Sequence, residues 1–98
     1  MATDFTLILN FEDANNVRPE VSKGTFLRCL VLLQNNRGNL FFVDAIYCNE
    51  YEYYNNDTEE YCKTSVGWYV SDEAYENVEF ITWGKVLSWV EFPDPENV

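Results

Sequence analysis

A chain of 98 residues in which 47% of side chains are hydrophobic and 17% aromatic can bury the core of one domain, residues 1–98, and is too apolar for a disordered tail. Its formal net charge is −11, from 17 acidic against 6 basic residues, which opposes direct binding to nucleic acid or to an anionic membrane. It has no run of 18 apolar residues and no basic segment leading into an apolar one, so neither a membrane span nor a secretory signal is expected, and the cytoplasm is the expected location.

The charge is unevenly distributed. Residues 1–43 hold four acids and four bases and sum to zero, whereas residues 44–98 hold thirteen acids against Lys63 and Lys85 and so carry the whole −11. Such an asymmetric field favours basic partners. The three cysteines, Cys29, Cys48 and Cys62, cannot all pair within one chain. Histidine is absent and no Cys-x-x-Cys spacing occurs, so reduced thiols and no zinc site are expected.

In chain order, residues 5–11 (FTLILNF) alternate in the manner of a strand, and residues 12–20 read as a polar loop, with a short helix near Asp13 as an option. Residues 27–34 (LRCLVLLQ) are almost continuously apolar and predict a central strand covered on both faces. The turn Asn35-Asn36-Arg37-Gly38-Asn39 then predicts an antiparallel return through residues 40–48 (LFFVDAIYC), with Gly38 at positive φ. That strand is expected to continue through residues 49–54, with Glu50 and Glu52 on one face and Tyr51 and Tyr53 on the other. After a turn at Asn55-Asn56-Asp57 come a short strand over VGWYV and a loop or helical turn over residues 71–77, with Ser71 or Asp72 as N-cap. Two further strands, residues 79–83 and 85–92, flank Gly84, with Leu87, Trp89 and Glu91 on one face and Val86, Val90 and Phe92 on the other. The pattern predicts a mainly β fold: a small antiparallel, strongly bent sheet or barrel with at most one short helix, α+β being the alternative. The tryptophans, Trp68, Trp83 and Trp89, are expected to pack in the core, Trp89 only half buried.

The stretch from residue 44 to residue 62, DAIYCNEYEYYNNDTEEYC, contains six carboxylates (Asp44, Glu50, Glu52, Asp57, Glu59, Glu60) and five tyrosines without one Lys or Arg. One reading is a solvated loop that keeps a sheet edge from aggregating. The other is an imitation of nucleic acid. Carboxylates two apart on a strand lie about 6.7 Å from each other, close to two phosphate steps of about 3.4 Å. Tyr51, Tyr53 and Tyr54 would add flat contact area for a basic groove. Asp72, Glu73, Glu76 and Glu79 form a second acidic group, beside the first or remote from it.

Catalysis is poorly served. Without histidine the cysteines have no activating base, the domain is too small to hold two carboxylates across a deep cleft, and there is neither an EF-hand pattern nor a phosphate-binding glycine loop. Neither enzyme activity, a cofactor nor a metal is expected.

The Leu/Val-rich strand, the aromatic return strand, Gly67-Trp68-Tyr69 and the tail Val86-Leu87-Ser88-Trp89-Val90-Glu91-Phe92-Pro93-Asp94-Pro95 together resemble an uncharacterised family of small phage and prophage proteins. That family ends in Trp-x-x-hydrophobic-Pro-x-Pro and has no established chemistry. The resemblance covers residues 27–95, its specific part is WVEFPDP, and the acidic stretch departs from the pattern. It implies a phage origin and a bacterial host cytoplasm, with a size and acidity similar to those of anti-CRISPR and other anti-defence inhibitors. The expected partner is the basic surface of a nucleic-acid-binding protein, foremost a CRISPR–Cas effector, bound by a monomer or small homo-oligomer. The expected contact residues are Glu50, Tyr51, Glu52, Tyr53, Tyr54, Asp57, Glu59, Glu60, Asp72, Glu73 and Glu76. The competing expectation is a phage accessory or structural β domain that binds a protein or glycan and is acidic only for solubility.

Overall fold

Alternating apolar side chains and closely spaced turn residues produce an antiparallel β architecture. The computed structural model describes residues 8–72 and 74–93; residues 5–7 of the expected first strand, Glu73 and residues 94–95 of the tail lie outside them. The strands are β1 (Glu12–Asp13), β2 (Thr25–Asn35), β3 (Leu40–Asn49), β4 (Glu52–Asn55), β5 (Glu60–Lys63), β6 (Gly67–Ser71), β7 (Val78–Phe80) and β8 (Gly84–Glu91). Six form one antiparallel sheet in the order β1-β8-β2-β3-β6-β7, and β4 and β5 form a separate hairpin. No helix occurs among the described residues.

The β2–β3 hairpin is the expected one. Asn35 closes its turn by accepting from the Arg37 and Asn39 amides at 3.0 and 2.9 Å, and Gly38 takes φ 86°. β2 is central, paired with β8 on one side and β3 on the other. Its two faces differ, however. Cys29, Val31 and Leu33 are fully buried with Ala45, Ile81 and Val86, whereas Leu30 and Leu32 on the other face are only half covered.

Curvature follows from chain length. β7 and β8 stand four strand positions apart in the sheet order, about 19 Å at ~4.8 Å per step if the sheet were flat. Only residues 81–83 connect them, and from Phe80 to Gly84 an extended chain reaches about 14 Å at most. The sheet must therefore curl. Ile81 extends the β6–β7 pairing by donating its amide to the Trp68 carbonyl at 3.1 Å, and across the concave face the Trp68 and Trp89 rings lie 6.4 Å apart. The curl stops short of a barrel, and β7 and β8 remain unpaired with each other.

Three expectations are corrected. Among the described residues the first pairing is Glu12–Asp13 against Trp89 and Ser88, not the apolar run, of which residues 8–11 form no strand. Asp13 then folds the chain back by accepting from Asn15 and Asn16, which makes a turn rather than a helix and lets Trp89 Nε1 donate to the Val17 carbonyl at 2.8 Å. The two strands expected around Gly84 are present as β7 and β8, β7 joining β6 and β8 joining β2. Finally, simple alternation fails in β8. A bulge opposite Leu32 and Leu33 sets Val86 across from Leu33 and Trp89 across from Val31, so that both meet the core although they stand an odd number of positions, three, apart.

All three cysteines are free, Cys29 and Cys48 buried and Cys62 half-buried. Burial pushes the Cys29 thiol up to about 12 and the Cys48 thiol up to about 11, because a thiolate there would lose its water. A disulfide-exchange reagent at pH 8 should therefore titrate about one thiol per native chain and three after unfolding. Rapid reaction of all three in the native protein would contradict this packing.

Candidate interaction surface

The acidic stretch divides into a root that packs inward and a tip that faces water. β3 ends at Asn49, and Glu50 adopts φ 51°, a left-handed conformation that breaks the strand before β4 begins. The expected continuous strand and its phosphate-like Glu50–Glu52 spacing are thus absent. Glu50 instead pairs with Lys23 at 3.3 Å, and Asp44 is held by Arg28, whose Nη2 lies 2.6 Å from Oδ2 and whose Nε lies 3.0 Å from Oδ1. That bond raises the Arg28 pKa further, and the guanidinium also lies 3.7 Å above the Phe92 ring. Bases from the first 43 residues therefore cancel two of the six carboxylates, which inspection of the stretch alone misses.

Tyr51 turns inward. Its amide donates to the Thr64 hydroxyl at 2.9 Å, its carbonyl accepts from the Thr64 amide at 2.9 Å, and its hydroxyl donates to the Tyr75 carbonyl at 3.1 Å. Its ring meets Phe26 edge-on and stacks with Tyr53 at 6.4 Å. Burial raises the pKa of both tyrosines. Tyr51 and Tyr53 consequently anchor the hairpin to the convex face of the main sheet, where Ile46, Cys48 and Tyr69 form a second apolar cluster.

The hairpin register sorts the remaining side chains. Glu52 stands opposite Lys63 and Tyr54 opposite Tyr61, which puts these four on one face; Tyr53, Cys62, Asn55 and Glu60 share the other. Tyr54 and Tyr61 touch edge to face at 5.2 Å and are 39% and 74% exposed. Asn55 Oδ1 organises the turn by accepting from the amides of Asp57 and Thr58, and Glu59 closes it at φ 56°. Asp57, Glu59 and Glu60 are exposed around this tip, and none has an ion-pair partner among the described residues.

The second acidic group is partly brought to the first. Asn56 donates to Glu76 Oε2 at 3.1 Å, which sets Glu76 beside the tip. Asp72 shapes the same loop by accepting from the Glu76 amide at 3.0 Å and the Asn77 side chain at 2.7 Å, and these bonds, led by the Glu76 amide, lower its pKa. Asp72 thus acts in the loop in the way expected of an N-cap, without a helix. Glu79 lies on β7 across from Val70, and Glu73 lies outside the described residues. The tip accordingly groups Asp57, Glu59, Glu60 and Glu76 around the turn, with Tyr54 and Tyr61 on the hairpin face opposite to Glu60, and Glu52 lies farther back opposite Lys63. Among the described residues no three His, Cys, Asp or Glu side chains converge to hold a metal ion.

Two other surfaces emerge only in three dimensions. Leu40, Phe41 and Phe42, next to the β2–β3 turn, are 56%, 44% and 68% exposed. Where the curled sheet fails to close, a cleft of about 310 Å³ opens between β6–β7 and the start of β8, with Arg18 and Lys85 among its walls.

The class defined by these features is an open, curled antiparallel β domain that carries an acidic, tyrosine-bearing hairpin. No family model matches the chain, and no curated protein or solved structure matches it. No helix among the described residues is long and apolar enough to cross a membrane.

Proposed function

We propose that this protein is a phage-derived, non-catalytic inhibitor that presents its hairpin tip to the basic nucleic-acid-binding surface of a bacterial defence complex, in the manner of an anti-CRISPR protein that mimics DNA. The observation that carries the reading is the grouping of Asp57, Glu59, Glu60 and Glu76 around one turn, without ion pairs among the described residues and next to the exposed Tyr54–Tyr61 pair. Carboxylates in this setting attract lysine and arginine over a Debye length of about 10 Å, and the tyrosines supply rigid contact area once the surfaces meet. Cas effectors fit because they hold nucleic acid in positively charged channels. The phage origin is supported by the resemblance of the WVEFPDP tail.

The test is competition. The protein should displace labelled nucleic acid from a purified Cas effector, with an apparent affinity that falls by roughly tenfold or more between about 0.05 M and 0.3 M salt. Reversing Asp57, Glu59, Glu60 and Glu76 to lysine should abolish displacement while the far-ultraviolet spectrum stays unchanged. Full displacement by that variant rules out the tip.

The exposed Leu40, Phe41 and Phe42 favour a second reading, a phage accessory domain that binds a protein through an apolar contact. Binding of that kind would be nearly indifferent to salt and lost in Phe42→Glu.

A further inference from the structure

We propose that the unclosed seam between β7 and β8 is a binding site for a small, flat apolar carboxylate, independent of the acidic hairpin. Closing the sheet into a barrel would have buried this region. Instead the three-residue link between β7 and β8 leaves a cleft of about 310 Å³ at the end of the concave face, near the lower limit of small-molecule sites, ~300–1,000 Å³.

The lining has the composition that an amphipathic anion requires. Tyr47 and Trp68, packed edge to face at 4.9 Å, contribute aromatic wall, Phe80 borders the cleft with its ring against Tyr69, and Val86 adds an aliphatic surface. Arg18 and Lys85 supply charge. Among the described residues no carboxylate lines the cleft. Neither Arg18 nor Lys85 forms an ion pair among the described residues, although Lys23 and Arg28 both do. The depression over the Arg28–Asp44 pair, about 360 Å³, differs in this respect because its cation is already bound to a carboxylate. Two unneutralised cations beside aromatic walls match a ring that stacks on Trp68 and a carboxylate that meets the guanidinium and ammonium. A neutral ligand would leave both charges unused, and a dianion or phosphate would waste the aromatic surface.

The experiment is a titration of the full chain with 2-naphthoate, followed by amide and indole resonances in ¹H–¹⁵N spectra. The expected result is saturable shifts centred on Gly67, Gly84 and the Trp68 indole. The neutral analogue 2-naphthalenemethanol should bind at least about tenfold more weakly, and Arg18→Gln with Lys85→Gln should weaken 2-naphthoate by a similar factor. Both side chains are at the surface, so the spectrum of that double variant away from the cleft should remain native, which separates lost binding from lost folding. The proposal is overturned by the absence of shifts at millimolar probe, by equal affinity for the neutral analogue, by undiminished binding to the double variant, or by shifts confined to Leu40 and Phe42. Concentration-dependent shifts at the cleft without probe, abolished by the hairpin charge reversal, would assign it to the acidic tip of a second copy and also overturn the proposal. None of these outcomes bears on displacement of nucleic acid by the hairpin, so the two functional readings fail independently.

Discussion

Leu33→Ala is expected to lower the unfolding free energy by about 2–5 kcal/mol, read as a fall in the urea midpoint at unchanged slope. Leu33 has no exposed surface and lies at the middle of the sheet, paired with Phe41 on β3 and with Val86 on β8. Truncation removes the transfer free energy of three carbons and leaves a void. The walls of that void belong to paired strands, which cannot move inward without giving up ladder hydrogen bonds. Leu40→Ala is the matched control. Leu40 is 56% exposed, so its loss should cost no more than about 0.5 kcal/mol. Equal costs at the two positions would mean that the concave face is not the core.

Gly84→Ala is expected to destabilise by about 1–3 kcal/mol, through steric overlap alone. A Cβ built on Gly84 would overlap Leu33 Cδ2 and lie 2.8 Å from the Gln34 carbonyl oxygen, closer than real Cβ atoms approach. One obstacle is a side-chain end and the other is backbone. The pair of substitutions should therefore be non-additive in a defined direction. In Leu33→Ala/Gly84→Ala the new methyl group enters the space that leucine vacated, and the double variant should be more stable than the sum of the single losses by roughly 0.5–3 kcal/mol. The contact with the Gln34 carbonyl persists, so full recovery is not expected. Strict additivity would show that Gly84 and Leu33 do not touch. The same glycine lets β8 start close against β2 and also lines the proposed binding cleft.

The legible part of the chain was local. Nearly continuous apolar character between Leu27 and Leu33, interrupted by Arg28 alone, the Asn35–Asn39 turn and the aromatic return to Cys48 specify the central hairpin, because strand period and turn chemistry are carried by neighbouring residues. The excess of carboxylates after residue 43 was equally plain, and so was the mainly β class. Where pairing partners are distant the local pattern misleads. Alternation set Val86 and Trp89 on opposite faces, and a bulge reunited them against Val31 and Leu33. The run from Asn49 to Tyr54 looked like one strand, but Lys23 captures Glu50 in a left-handed turn and Thr64 clamps Tyr51 inward.

For function the division is the same. The sequence by itself determined a β domain with a surplus of negative charge and no histidine for acid–base chemistry at neutral pH, since these depend on composition and on contacts between neighbouring residues. Only the tertiary structure decided which carboxylates remain unpaired, that Glu76 joins the hairpin tip while Asp44 and Glu50 are neutralised, and that Arg18 and Lys85 line one aromatic cleft. Charge pairing and sheet curvature act through space between residues far apart in the chain, and a short link between β7 and β8 sets both the curl and the opening it leaves.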